Sequence, residues 1–168
     1  MGTSNTDQKF IELALEEARL AAEEGEVPVG AVLVVNGEVI ARAHNLREEL
    51  SDPTAHAEML ALREASQRLL RWRLTGATLY ITMEPCAMCA GAAVLARIDR
   101  IVYGCNDPKA GACGTVFDIA REPQLNHRIE ITGGILKEEC QNIVQKFFEN
   151  RRKKIRNSER WPSPVEGD

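Results

Sequence analysis

Val27-Pro28-Val29-Gly30-Ala31-Val32-Leu33-Val34-Val35 is followed at once by Asn36-Gly37 and then by Glu38 to Ala43. A β-rich run, a strong two-residue hairpin signal and a returning strand predict an antiparallel pair at the start of a sheet. Upstream, from about Asp7 to Glu24, Phe10, Leu13, Ala14, Ala18 and Ala21 recur at helical spacing, with Thr6 as cap and Gly25 as stop. Downstream, Asp52-Pro53 offers a cap and a first-turn proline for a second helix running to about Leu70. Ala77 to Thr82 reads as a buried strand, Cys86 to about Ala96 as a third helix, and Arg100 to Gly104 as a fourth strand. Residues 105–128 are rich in Gly, Pro and polar groups, with one helical turn expected around Val116 to Ala120. A connection that long in a small domain is usually functional. Ile129 to Thr132 is a short fifth strand, and Leu136, Cys140, Ile143, Val144, Phe147 and Phe148 mark a last amphipathic helix. Helices alternating with strands after a hairpin imply a three-layer α/β/α domain with a mixed, mainly five-stranded sheet. The expected domain spans 1–157, with a loose tail over 158–168.

Composition sets the bounds. A chain of 168 residues, 44% hydrophobic, has enough apolar content to bury a core without disulfides. Five cysteines and no signal peptide point away from a disulfide framework and towards metal or buried-thiol roles in a soluble, cytoplasmic protein. The longest apolar run, Val27 to Val35, is too short to span a bilayer, so no membrane partner is expected. Met1-Gly2-Thr3-Ser4-Asn5-Thr6 fits the N-myristoylation pattern, a loose six-residue pattern that recurs by chance. Net charge is −4, but Lys146 to Arg160 carries seven basic residues against two acidic ones, leaving the remainder at −9. Such asymmetry marks either a local nucleic-acid footprint or a solvated helix end whose cations complement the dipole.

Pro85-Cys86-Ala87-Met88-Cys89 puts two thiols three residues apart at a helix start, where unpaired N–H groups favour thiolates. Alone, this spacing fits a zinc site, a redox dithiol or two buried small side chains. His56-Ala57-Glu58 lies at another helix start, and two helix mouths at one sheet edge bring His56 towards Cys86 and Cys89. Three ligands with one open position are what metal-assisted hydrolysis needs, because zinc lowers the pKa of bound water to roughly 7. Glu58 is placed to take the water proton and return it. Residues two apart on an ideal helix point about 200° away from each other, so His56 is expected outside the regular helix.

The His56-x-Glu58 and Pro85-Cys86-x-x-Cys89 pairing resembles the signature of zinc nucleobase deaminases. Val27 to Val32, Thr82 to Gly91, Asp107 to Gly111, Asn126-His127-Arg128 and Phe147-Phe148 with Arg151-Arg152 are further similar to the bacterial tRNA-specific adenosine deaminases, over about Asp7 to Ile155. That resemblance implies a homodimer with one Zn2+ per subunit, converting adenosine to inosine at the wobble position of a tRNA anticodon stem-loop. It implies Asn45, Ala57 and Val29 around the target base, and Asp107, Lys109, Asn126, Phe148 and Arg151 near the anticodon loop. Plainer roles stand beside these: a strand-end turn for Asn45, turn chemistry for Asp107, a loop cap for Asn126 and core packing for Phe148. Two other readings stay open. One is a deaminase of a free base or nucleotide such as guanine, cytosine or deoxycytidylate. The other is a structural-zinc RNA-binding module, with Cys105, Cys113 or His127 closing the site as fourth ligand.

Overall fold

The structure is a computed structural model and describes residues 4–158. Its elements run α1 (Asn5–Glu23), β1 (Gly30–Val35), β2 (Glu38–His44), α2 (Arg47–Leu50), α3 (Ala57–Leu69), β3 (Ala77–Met83), α4 (Ala87–Leu95), β4 (Arg100–Cys105), β5 (Glu130–Thr132) and α5 (Lys137–Ser158). The strands form one sheet in the order β2-β1-β3-β4-β5. β1 is antiparallel to β2 and to β3, whereas β3, β4 and β5 are mutually parallel. The expected mixed five-stranded sheet with an opening hairpin is therefore present. Asn36 and Gly37 both take the positive φ that the tight turn requires.

Side-chain alternation builds the two cores. Ala31, Leu33, Leu79, Ile81, Ile101 and Tyr103 face α3 and α4, and Val32, Val34, Tyr80 and Val102 face α1 and α5. Both faces are covered, giving three layers. At Gly30 the backbone of α1 comes so close that a Cβ would run into the Ala14 carbonyl, which explains the glycine where β1 begins. A buried polar knot then ties α1 to three strands. Arg100 on β4 holds both carboxylate oxygens of Asp7 at 2.8 Å, Tyr80 on β3 donates to Asp7 at 3.0 Å, and Arg100 reaches Thr132 on β5 at 2.9 Å. Burial alone would raise the Asp7 carboxyl, but these donors outweigh it and hold the group below its ordinary value.

Several local expectations are corrected. Ser4 caps α1 through the Thr6 N–H at 3.2 Å, in place of Thr6. Val27 to Val29 stays outside β1 and turns on a Val29 N–H to Val27 C=O bond. Asp52-Pro53 does not cap the second long helix: Asp52 accepts from the Thr54 N–H at 2.8 Å and hydroxyl at 2.7 Å, closing a turn before α3 begins at Ala57. A four-residue helix, α2, intervenes. Val116 to Ala120 forms no helical turn, because Cys113 bridges to Asp118 and the Val116 and Phe117 N–H groups both bond Gly111 C=O. α5 extends through Ser158, the first residue of the expected tail, while residues 159–168 and the Gly2 myristoylation site lie outside the described residues. No helix among the described residues is long and apolar enough to cross a membrane.

Candidate active site

Two helix N-termini, those of α3 and α4, open at one edge of the sheet. His56 and Cys86 occupy the capping position of each, both in extended backbone (ψ 149° and 176°), and neither side chain caps its own helix. Histidine and cysteine are poor capping residues; here their side chains face each other. The Asp52–Thr54 turn prepares the first of them, since the His56 N–H donates to Thr54 C=O at 2.8 Å. His56 thus stands outside the regular helix, which lets Glu58 in the first turn of α3 point to the same place. Cys89 lies one turn into α4 and is buried.

His56 Nδ1 is 3.6 Å from Cys86 Sγ and 3.5 Å from Cys89 Sγ, and the three donor atoms lie within 4.8 Å of one another. Tetrahedral zinc with ordinary Zn–N and Zn–S bonds separates such atoms by about 3.6 Å. The donor set and its spacing therefore fit zinc. The Cys86 thiol is driven down by hydrogen bonding to Cys89 and to His56, so a thiolate is favoured there. Glu58 Oε2 sits 3.5 Å from Cys89 Sγ, and burial raises its carboxyl above the ordinary range, towards a group that both takes and gives a proton.

The remaining thiols and histidines are elsewhere. Cys105 and Cys113 are buried among apolar side chains that push them up to about 11 and about 12. His127 Nε2 meets Ile98 C=O at 2.6 Å and pins the end of the long loop. None of the three joins the metal group, which removes the fourth ligand on which the structural-zinc module depends.

A cleft of about 240 Å³ opens over this cradle. It is smaller than the roughly 300–1,000 Å³ typical of clefts for larger ligands and suits a single flat base. His56, Glu58 and Cys86 form its floor, and the expected Val29, Asn45, Ala57 and Asp107 line it. Asn45 is buried; its Nδ2 faces Glu26 Oε2 and Val27 C=O, each at 3.4 Å, which fixes the amide orientation and leaves Oδ1 without a donor. The other expected residues lie outside the cleft. Lys109 and Phe148 share a surface groove with Arg152, Arg151 lines a separate groove with Lys146 and Lys154 on another side of α5, and Asn126 is exposed on the long loop.

Arg47, Met83, Glu84 and Ala110 also line the cleft and were not expected from the sequence. Arg47 belongs to the helix too short to show a period. Glu84 lies within the Thr82 to Gly91 stretch, next to Pro85-Cys86, but nothing there singled it out as a cleft residue.

Comparison with known proteins agrees with this geometry. A family model described as the zinc-binding region of cytidine and deoxycytidylate deaminases matches residues 4–105. The tRNA-specific adenosine deaminase of Bacillus subtilis (strain 168) is 53% identical over 148 residues, 88% of this chain and 92% of its own length. That of Aquifex aeolicus (strain VF5) is 50% identical over 89% of this chain and 95% of its own. A structure from a study of A-to-I editing by tRNA:A34 deaminases at the wobble position superposes with a TM-score of 0.78 at 48% identity, over 80% of this chain and 98% of that one. A guanine deaminase from Nitrosomonas europaea, at 22% identity and TM-score 0.70, shares the fold over 88% of this chain and 85% of its own. On the family match and on identities of 50% and more over most of both chains, the chain belongs to the tRNA-specific adenosine deaminases of the cytidine and deoxycytidylate deaminase zinc-binding family.

Proposed function

We propose that the protein hydrolyses adenosine to inosine at the wobble position of a tRNA anticodon. The observation that carries the chemistry is the buried Glu58 carboxyl beside a His56, Cys86 and Cys89 cradle at the floor of a base-sized cleft. These three side chains would hold zinc, which when bound supplies Lewis-acid activation of water. Glu58 takes a water proton on its carboxylate and passes it to the purine ring nitrogen as the new C6–O bond forms; it then takes the remaining proton from the C6 hydroxyl and delivers it to the amine as C6=O forms, the C6–N bond breaks and ammonia leaves. Asn45 presents Oδ1 to a donor on the bound nucleotide, and filling that orphaned acceptor contributes to selection. Ala57 offers a first-turn N–H of α3 to an acceptor on the base. Val29 supplies an apolar wall.

The RNA reading is supported by what surrounds the cleft and by the relatives' substrate. Anticodon-loop bases are already unstacked and available to a pocket. Asp107 flanks the entrance, while Lys109, Asn126, Phe148 and Arg151 provide cations, a polar edge and an aromatic face for the flanking nucleotides. A homodimer fits the exposed apolar surface where Trp72, just past α3, is 61% exposed and Leu95, at the end of α4, is 70% exposed, beside Met59. The deaminase domain runs through the end of α5 at Ser158, one residue past the expected boundary, and works in the cytoplasm. Incubation with transcribed tRNA, and separately with free adenine, guanine and cytidine, tests the reading. Inosine at the wobble position by sequencing is expected; deamination of the free compounds alone would overturn it.

A further inference from the structure

Glu84 is buried in the core, 2% exposed, and among the described residues it forms no salt bridge. Its partners are donors from one loop: the Asp107 N–H on Oε2, the Cys113 and Thr115 N–H groups on Oε1, each at 3.1 Å, and the Thr115 hydroxyl on Oε2 at 2.6 Å. Gly111 packs so tightly on the carboxylate that a Cβ there would collide with it. The loop is closed on itself as well. Asp107 Oδ1 accepts from the Lys109 N–H at 2.9 Å and the Ala110 N–H at 3.2 Å, and the Ala112 N–H bonds Pro85 C=O at 2.8 Å. Residues 107–115 are therefore wound round one side chain, and that side chain stands two positions before Cys86. Asp107 and Ala110 form part of the cleft wall, while Lys109 turns to the groove beside Phe148.

We infer that Glu84 is a positioning residue for substrate: a template whose two oxygens accept four hydrogen bonds and set the substrate-facing loop at a fixed distance from the metal cradle. A carboxylate is required because it accepts at both oxygens. An amide in the same place would turn an NH2 towards N–H donors on one side, leaving buried donors unpaired. The inference rests on the proposed reaction, since the wall it shapes is the wall of that cleft.

The test compares the wild-type protein with Glu84→Gln and the milder Thr115→Val, measuring zinc content, tRNA deamination kinetics and amide hydrogen exchange. Wild-type turnover of tRNA comes first; if it is absent, the proposed reaction fails and Glu84 is judged by exchange alone. With turnover present, Glu84→Gln should keep one zinc per chain and raise KM by about tenfold or more, the effect of about 1.4 kcal/mol. Its kcat should stay within about threefold of wild type, and exchange should quicken in 107–115 and not in α1 or β1. Thr115→Val should move KM and exchange the same way by less. If Glu84→Gln does not fold, Thr115→Val decides. Unchanged KM and unchanged exchange, a loss confined to kcat, or loss of zinc in both variants would each overturn the inference.

Discussion

Glu58 and His44 show how one side chain's surroundings set its behaviour. Glu58 shares its buried space with Cys89 but does not belong to the donor group, so its removal separates metal binding from proton transfer. Glu58→Ala should retain zinc by elemental analysis while kcat falls by about 10²- to 10⁴-fold, the range of a lost general acid–base group. His44 meets Glu17 through Nδ1 at 2.8 Å and Glu24 through Nε2 at 2.9 Å. Only the imidazolium donates at both nitrogens. Burial pulls its pKa down, but the two carboxylates outweigh that and raise it. The stabilisation is therefore fully present below the unfolded value of about 6.5 and is lost as pH rises through the higher folded value. Wild type should exceed His44→Gln in melting temperature at about pH 6, and the gap should close in alkaline buffer. His56, Glu58, Cys86 and Cys89 were legible because the chemistry demands those residue types at those spacings. Glu84 was not: among 25 acidic residues, only the folded chain shows which carboxylate is wrapped by backbone donors.

At the scale of elements, the hairpin was legible because Asn36-Gly37 has a single good conformational use, whereas Asp52-Pro53 serves helix caps and isolated turns equally well. Three-dimensional context chose the turn, placing His56 in extended backbone before α3. Likewise, nothing local forbids a helical turn at Val116 to Ala120; the bridge between Cys113 and Asp118 prevents it. α5 is the long helix that buries least of itself. Of its described residues only Cys140 is fully buried, while Phe148, Arg151 and Arg152 face outward. If Arg151 holds a phosphate, Arg151→Ala should weaken binding of an anticodon stem-loop and lower the slope of log K against log salt by about 0.7 to 0.9. Titrations at several ionic strengths read both.

For the molecule as a whole, layers were legible and neighbours were not. Alternating helices and strands imply two covered faces, but β3 beside β1, and β5 at the far edge, follow from which strands bury each other's residues. Trp72 and Leu95 leave an exposed apolar surface, and it is there that we propose the homodimer forms. Leu95→Asp should shift the protein to monomer in sedimentation velocity without loss of zinc, and an unchanged dimer would place the interface elsewhere. The pin between His127 and Ile98 has a further outcome at this scale. Glu84 grips the front of the long connection, and His127 pins its back immediately after the exposed stretch Pro123 to Asn126. Extra residues should be tolerated there: a short Gly-Ser insertion between Gln124 and Leu125 is expected to leave metal content and melting temperature unchanged while reducing affinity for the stem-loop. On the proposed function, this bend is where chain length would vary and RNA preference change while the chemistry stays fixed.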